Sequence, residues 1–149
     1  METHLGALEA GGSTLVVLAE GIKHFRVKRD FKAIGGLDPE RAVVVSQFPA
    51  TQPWSAGAAM TRNGVIVALS KALLVVEAGE RGGTLNAGEQ ALGLGRTVFA
   101  IDYQDDPPPG NQVLLTRGAR PLRSKGELAA ALDALVRSEF EAGQMKLRV

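Results

Sequence analysis

Arg62 and Asn63, then Glu77, then Gly79, Gly82, Gly83 and Thr84, are the residues of this chain whose types and spacing suit the chemistry of an anion. A guanidinium fork takes a phosphate bidentately, so Arg62 is the first candidate for a ligand contact. A glycine-rich turn that leads from a strand into a helix presents backbone N–H groups to a phosphate, and the Thr84 hydroxyl would add to them. Glu77 would orient Arg62 or accept from a base or ribose, and Asn63 and Asn111 would accompany them. Each has a plainer reading: a salt bridge from Arg62 to Glu77 or Glu80, helix caps for Asn63, Asn111 and Thr84, a mere connector for the glycines. His4 reads as a packing residue at a helix end and His24 as a surface residue. No nucleophile stands at a recognisable spacing from a base, so a hydrolase triad has no support.

The elements that must position these residues follow from the apolar pattern. Leu73, Leu74, Val75 and Val76 form an apolar run of strand length, expected as a central parallel strand buried on both faces. Arg62 lies on the helix before it. Thr84 opens the helix after it, over 84–94. Earlier, a helix over 3–10 stops at Gly11 and Gly12, and strands follow at 14–18 and 42–46. Between 23 and 32, Lys23, Arg26, Lys28, Arg29 and Lys32 interleave with Phe25, Val27 and Phe31. Val27, Phe31 and Ile34 share a helical face, which predicts an amphipathic basic helix ended by Gly35 and Gly36, with a phosphate-binding patch as the alternative. The loop over 47–59 holds Trp54, read as a hydrophobic plug at the sheet end or as a platform for a base. Later come a strand at 97–101, a short helix over 111–117, a short strand at 119–122, and a helix capped by Ser124 that carries Leu128, Leu132, Leu135 and Val136. Alternating strands and helices predict an α/β fold, a Rossmann-like parallel sheet with helices on both faces, and a ligand crevice at the carboxyl ends of the strands.

The chain has 149 residues, 45% hydrophobic and 22% charged, and reads as a single domain over 1–145 with a short tail at 146–149. Its net charge of +1 provides no global basic field, so a nucleic-acid role needs a local patch. It contains no cysteine and two histidines, which excludes disulfides and thiolate metal sites, and neither a metal nor a cofactor is expected. With neither a secretory leader nor a bilayer-length apolar run in view, a cytoplasmic protein with no membrane contact is expected.

Several of these stretches, in order, resemble the DNA-processing protein A family (DprA, or Smf). They are His4 with Ala7, Leu8, Gly11, Gly12 and the strand after them; Ser46, Gln47, Phe48 and Pro49; Arg62 and Asn63; the block from Val75 to Gly83; and Gly110, Asn111, Gly118 and Ala119. The resemblance covers about residues 4–122, the C-terminal part of that family's Rossmann-like domain. It implies a non-catalytic module that binds single-stranded DNA or a nucleotide phosphate through Arg62, Asn63, Glu77, Gly79, Gly82, Gly83, Thr84 and Asn111. The family's Gly-Ser-Arg turn has no counterpart here, which implies a domain truncated at its N-terminus. An exposed sheet edge would result, and a second copy or a partner chain bearing the missing half would cover it. More distantly, Met60, Thr61, Arg62 and the turn at Gly82 to Asn86 resemble the Lonely Guy phosphoribohydrolases, which cleave nucleoside monophosphates. At the place of that family's glutamate stands Ala87. Glu89 lies two residues on, about 200° around a helix. A degenerate assembly subunit is the third reading.

Overall fold

In the computed structural model, residues 2–33 and 36–146 are described, Ala33 and 138–146 by their backbone alone; Ile34, Gly35 and the end of the tail, 147–149, lie outside the described residues. The chain divides into two compact units, Met1–Ile66 and Val67–Val149.

In the first unit α1 (Glu2–Glu9) precedes β1 (Thr14–Val17), which runs parallel to β2 (Ala42–Val45) with Thr14 opposite Ala42 and Val17 opposite Val45. Arg41 joins the two strands to the helix: its guanidinium donates to the Gly12 carbonyl at 2.7 and 2.9 Å and to that of Leu8, satisfying carbonyls that a helix end leaves open.

The expected basic helix over 23–32 is only partly present. Ile22–His24 makes a 3-10 turn and α2 spans Arg29–Ala33 alone. Two local interactions outcompete the helix. Arg26 Nη1 donates to the carbonyls of Lys23 (2.9 Å) and Phe25 (2.8 Å), and the N–H groups of Gly21 and Lys23 are taken by the carbonyls of Gln52 and Ala50. Gly21 lies so close to the Pro49 and Ala50 carbonyls that a Cβ would overlap them. The segment is thereby laid along the turn at 49–52. Helix α3 (Ala56–Leu69) starts well before Arg62, cutting short the loop expected over 47–59, because Ser55 Oγ caps it by accepting from the Ala58 N–H at 3.0 Å.

The second unit contains β3 (Ala72–Val75), α4 (Gly83–Gly93), β4 (Thr97–Ile101), α5 (Pro109–Thr116), β5 (Arg120–Leu122) and α6 (Lys125–Lys146). Its sheet is parallel, in the order β3-β4-β5. The central place in this sheet belongs to β4, whose Val98, Phe99 and Ala100 are buried, whereas β3 pairs on one side and exposes Leu74. The expectation of β3 as a doubly buried centre is corrected accordingly: a four-residue apolar run reads alike for a central strand and a half-buried edge.

The core joins Val67 from the last turn of α3 to Val75, Val98, Ala100, Ala91 and Leu114. Leu114 of α5 fits against Gly88 of α4, where a Cβ would meet its branched end at 2.6 Å. Ser124 Oγ caps α6 as expected, accepting from the Glu127 N–H, while the Glu127 carboxylate accepts from the Arg123 N–H. The apolar row of α6 is packed only in part: Leu128 and Leu135 are half-buried, whereas Leu132 and Val136 are exposed. Among the described residues, no helix is long and apolar enough to cross a membrane.

Candidate nucleic-acid interface

Past the carboxyl end of β1, in the first unit, opens a cleft of about 300 Å³. Its floor is the strand end itself, the buried residues Val17, Leu18 and Ala19, which are apolar because the sheet needs them so. Four elements converge on its walls: α1 brings His4, the segment after β1 brings Glu20, Phe25, Arg26 and Lys28, the loop before α3 brings Trp54, and α3 brings Arg62. The non-helical course of residues 25–28 is what places Arg26 and Lys28 here.

Arg62 is anchored. Its Nη1 donates to the Val17 carbonyl at 2.7 Å and its Nε to Asn63 Oδ1 at 3.2 Å, so the guanidinium is held against the end of β1. His4 Nδ1 pairs with Thr14 Oγ1 at 2.6 Å. Burial, then the positive charges of the amino terminus and Arg62, push its pKa below the ordinary imidazole value, so the ring is neutral at neutral pH. His24 is exposed and bonded to the Thr51 carbonyl. Trp54 is 61% exposed at the cleft, which corrects the reading of it as a plug. Cations in one cleft with an exposed Trp54 and a half-buried Phe25 suit a flexible polyanion whose bases are free to stack.

Of the residues expected to hold an anion, Arg62 and Asn63 belong to the first unit, and Glu77, Gly79, Gly82, Gly83, Thr84 and Asn111 belong to the second. Glu77, Gly79 and Gly82 are exposed on the turn after β3, and α4 starts at Gly83 with Thr84 in its first turn. Gly82, not Thr84, is the N-cap, with φ of 123°, a conformation open only to glycine.

Asn111 is 1% exposed, and its amide is fully engaged. Oδ1 accepts from the Ala78 N–H at 2.8 Å, and Nδ2 donates to the Val76 and Ile101 carbonyls, each at 2.9 Å. It ties the ends of β3 and β4 together and shapes the glycine turn from below. Glu89 is ion-paired with Arg117, the C-cap of α5.

Arg26, Lys28 and Trp54 were visible in the sequence as a basic, aromatic-interleaved stretch and a lone tryptophan. Helical periodicity drew the first toward a solvated face, and the place of Trp54 in the loop after the second strand left it to be read as a plug at the sheet end or a platform for a base.

A family model described as DNA recombination-mediator protein A matches residues 1–133. The chain belongs to this family. It is 37% identical over 98 residues to protein Smf of Escherichia coli, covering 66% of this chain and 26% of that protein. It is 29% identical over 128 residues to the DNA processing protein DprA of Bacillus subtilis, covering 85% and 43%. Among solved structures, DprA from Streptococcus pneumoniae matches with a TM-score of 0.69 at 29% identity, over 85% of this chain and 45% of that one. A Helicobacter pylori DprA, whose structure was described for its single-stranded DNA binding mode, shares the fold with a TM-score of 0.67 at 15% identity, over 80% and 55%. The chain thus spans between about a quarter and somewhat over half of these family members. The parallel α/β architecture expected from the sequence is the architecture they share.

Proposed function

We propose that this family member is a non-catalytic module that binds single-stranded DNA through the cleft at the end of β1. The observation that carries the reading is the convergence of Arg26, Lys28 and Arg62 with Phe25 and the exposed Trp54 in one cleft. The Helicobacter relative's single-stranded DNA binding points the same way. Cations would follow the phosphates and the aromatic faces would hold bases. The turn at Gly79, Gly82, Gly83 and Thr84, with Glu77, is proposed as a phosphate site of the second unit in its own right, through backbone N–H groups. In this reading Asn63 steadies Arg62, and Asn111 holds the turn without touching the ligand.

A phosphoribohydrolase reading gains nothing from the geometry, since Ala87 carries no carboxylate and Glu89 is paired with Arg117. A second copy of the chain, or a partner chain, is proposed to complete the assembly.

Replacing Trp54 with alanine tests the stacking half of the proposal. A base stacked on an aromatic ring is worth roughly 1–3 kcal/mol, so anisotropy with a labelled 12-mer should show affinity falling about tenfold. The melting temperature should not move, because the ring is exposed. Unchanged affinity would remove Trp54 from the interface.

A further inference from the structure

One residue of the cleft does not fit a site built only for phosphates. Glu20 lines it beside Arg26 and Lys28. Among the described residues no ion pair engages its carboxylate, and its backbone carbonyl accepts from Ser46 Oγ at 2.7 Å. Against a polyanion a carboxylate is repulsive, so its place in such a cleft calls for a ligand that brings hydrogen-bond donors.

The Watson–Crick edge of guanine presents two adjacent donors, N1–H and the N2 amino group, to which a carboxylate can accept in parallel. Cytosine and adenine set a donor beside a ring-nitrogen acceptor, and thymine flanks its one donor with two carbonyls. Both arrangements turn a lone pair toward the carboxylate. The guanine edge is open only in an unpaired strand.

Resting on the reading of the cleft as a single-strand site, we infer that Glu20 reads an unpaired guanine, so that the site prefers strands carrying one. The base stacks on Trp54, the flanking phosphates meet Arg26 and Lys28, and Glu20 accepts from N1–H and the N2 amino group.

The test is competition anisotropy with oligothymidine 12-mers that contain a single central guanine, adenine or cytosine, or none, against the wild type and Glu20→Gln. The guanine strand should bind about fivefold tighter or better than oligothymidine, the low end of the discrimination a bidentate base contact provides. In Glu20→Gln that preference should fall below twofold, while oligothymidine binds as well as to the wild type or better, because a negative charge has left the cleft. Oligothymidine binding also shows that the variant is folded. Equal binding of all four strands, or a guanine preference that persists in Glu20→Gln, overturns the inference and leaves single-strand binding standing. Failure of every strand to bind overturns both.

Discussion

Asn111→Ala is expected to destabilise the protein by about 2–4 kcal/mol, because it strands a buried N–H and two part-buried carbonyls at the ends of β3 and β4. For a chain of this size that is a fall in Tm of roughly 10 °C, measurable by calorimetry. Asn111→Asp should be at least as harmful although it keeps the shape. Its second oxygen would face the Val76 and Ile101 carbonyls where Nδ2 now donates, and its charge would be buried without a partner. Next to it, Gly110 approaches the carbonyls of Ala78 and Gly79 too closely for any Cβ. The adjacent pair therefore belongs to the architecture of the glycine turn. An Asn111→Ala protein that melts like the wild type but loses its ligand would instead make Asn111 a contact residue.

The second large effect concerns affinity. Arg26→Glu with Lys28→Glu should weaken binding of single-stranded DNA about 100-fold or more at low salt, since two phosphate contacts become two repulsions. The neutral pair Arg26→Gln and Lys28→Gln separates charge from folding. With about 0.7 counterions released per phosphate neutralised on a single strand, it should reduce the slope of log K against log salt by about 1.4. Because Arg26 also holds the carbonyls of Lys23 and Phe25, Lys28→Gln alone serves as the milder control, with half that change. A slope that does not move in either variant would place the phosphates elsewhere.

How far these residues could be read from the sequence depended on what decided their conformation. The strand at 97–101 was legible at its true ends because Val98, Phe99 and Ala100 are buried whatever surrounds them. The cap at Ser124 was legible because a capping box is a local device. The basic stretch at 23–32 was misread because helical periodicity is a weak preference. An arginine that bonds to its own loop carbonyls, and backbone pairing with residues 50 and 52, override it, and neither leaves a pattern in the sequence. The start of α3 was hidden for a similar reason: Pro53 made the region read as loop, while the Ser55 cap two residues later starts the helix. Arg62 was legible as a residue of interest. That its guanidinium would be fixed on the Val17 carbonyl, with Trp54, Arg26 and Lys28 around the same cleft, depends on contacts distant in the chain.

The most direct test of the central claim is the affinity of the wild-type protein for a labelled single-stranded 12-mer between 50 and 300 mM salt, with the corresponding duplex as control. Arg26, Lys28 and Arg62 predict preference for the single strand and a log–log salt slope of about −2. Equal affinity for the duplex, a flat salt dependence, or no binding at 50 mM salt would contradict the account.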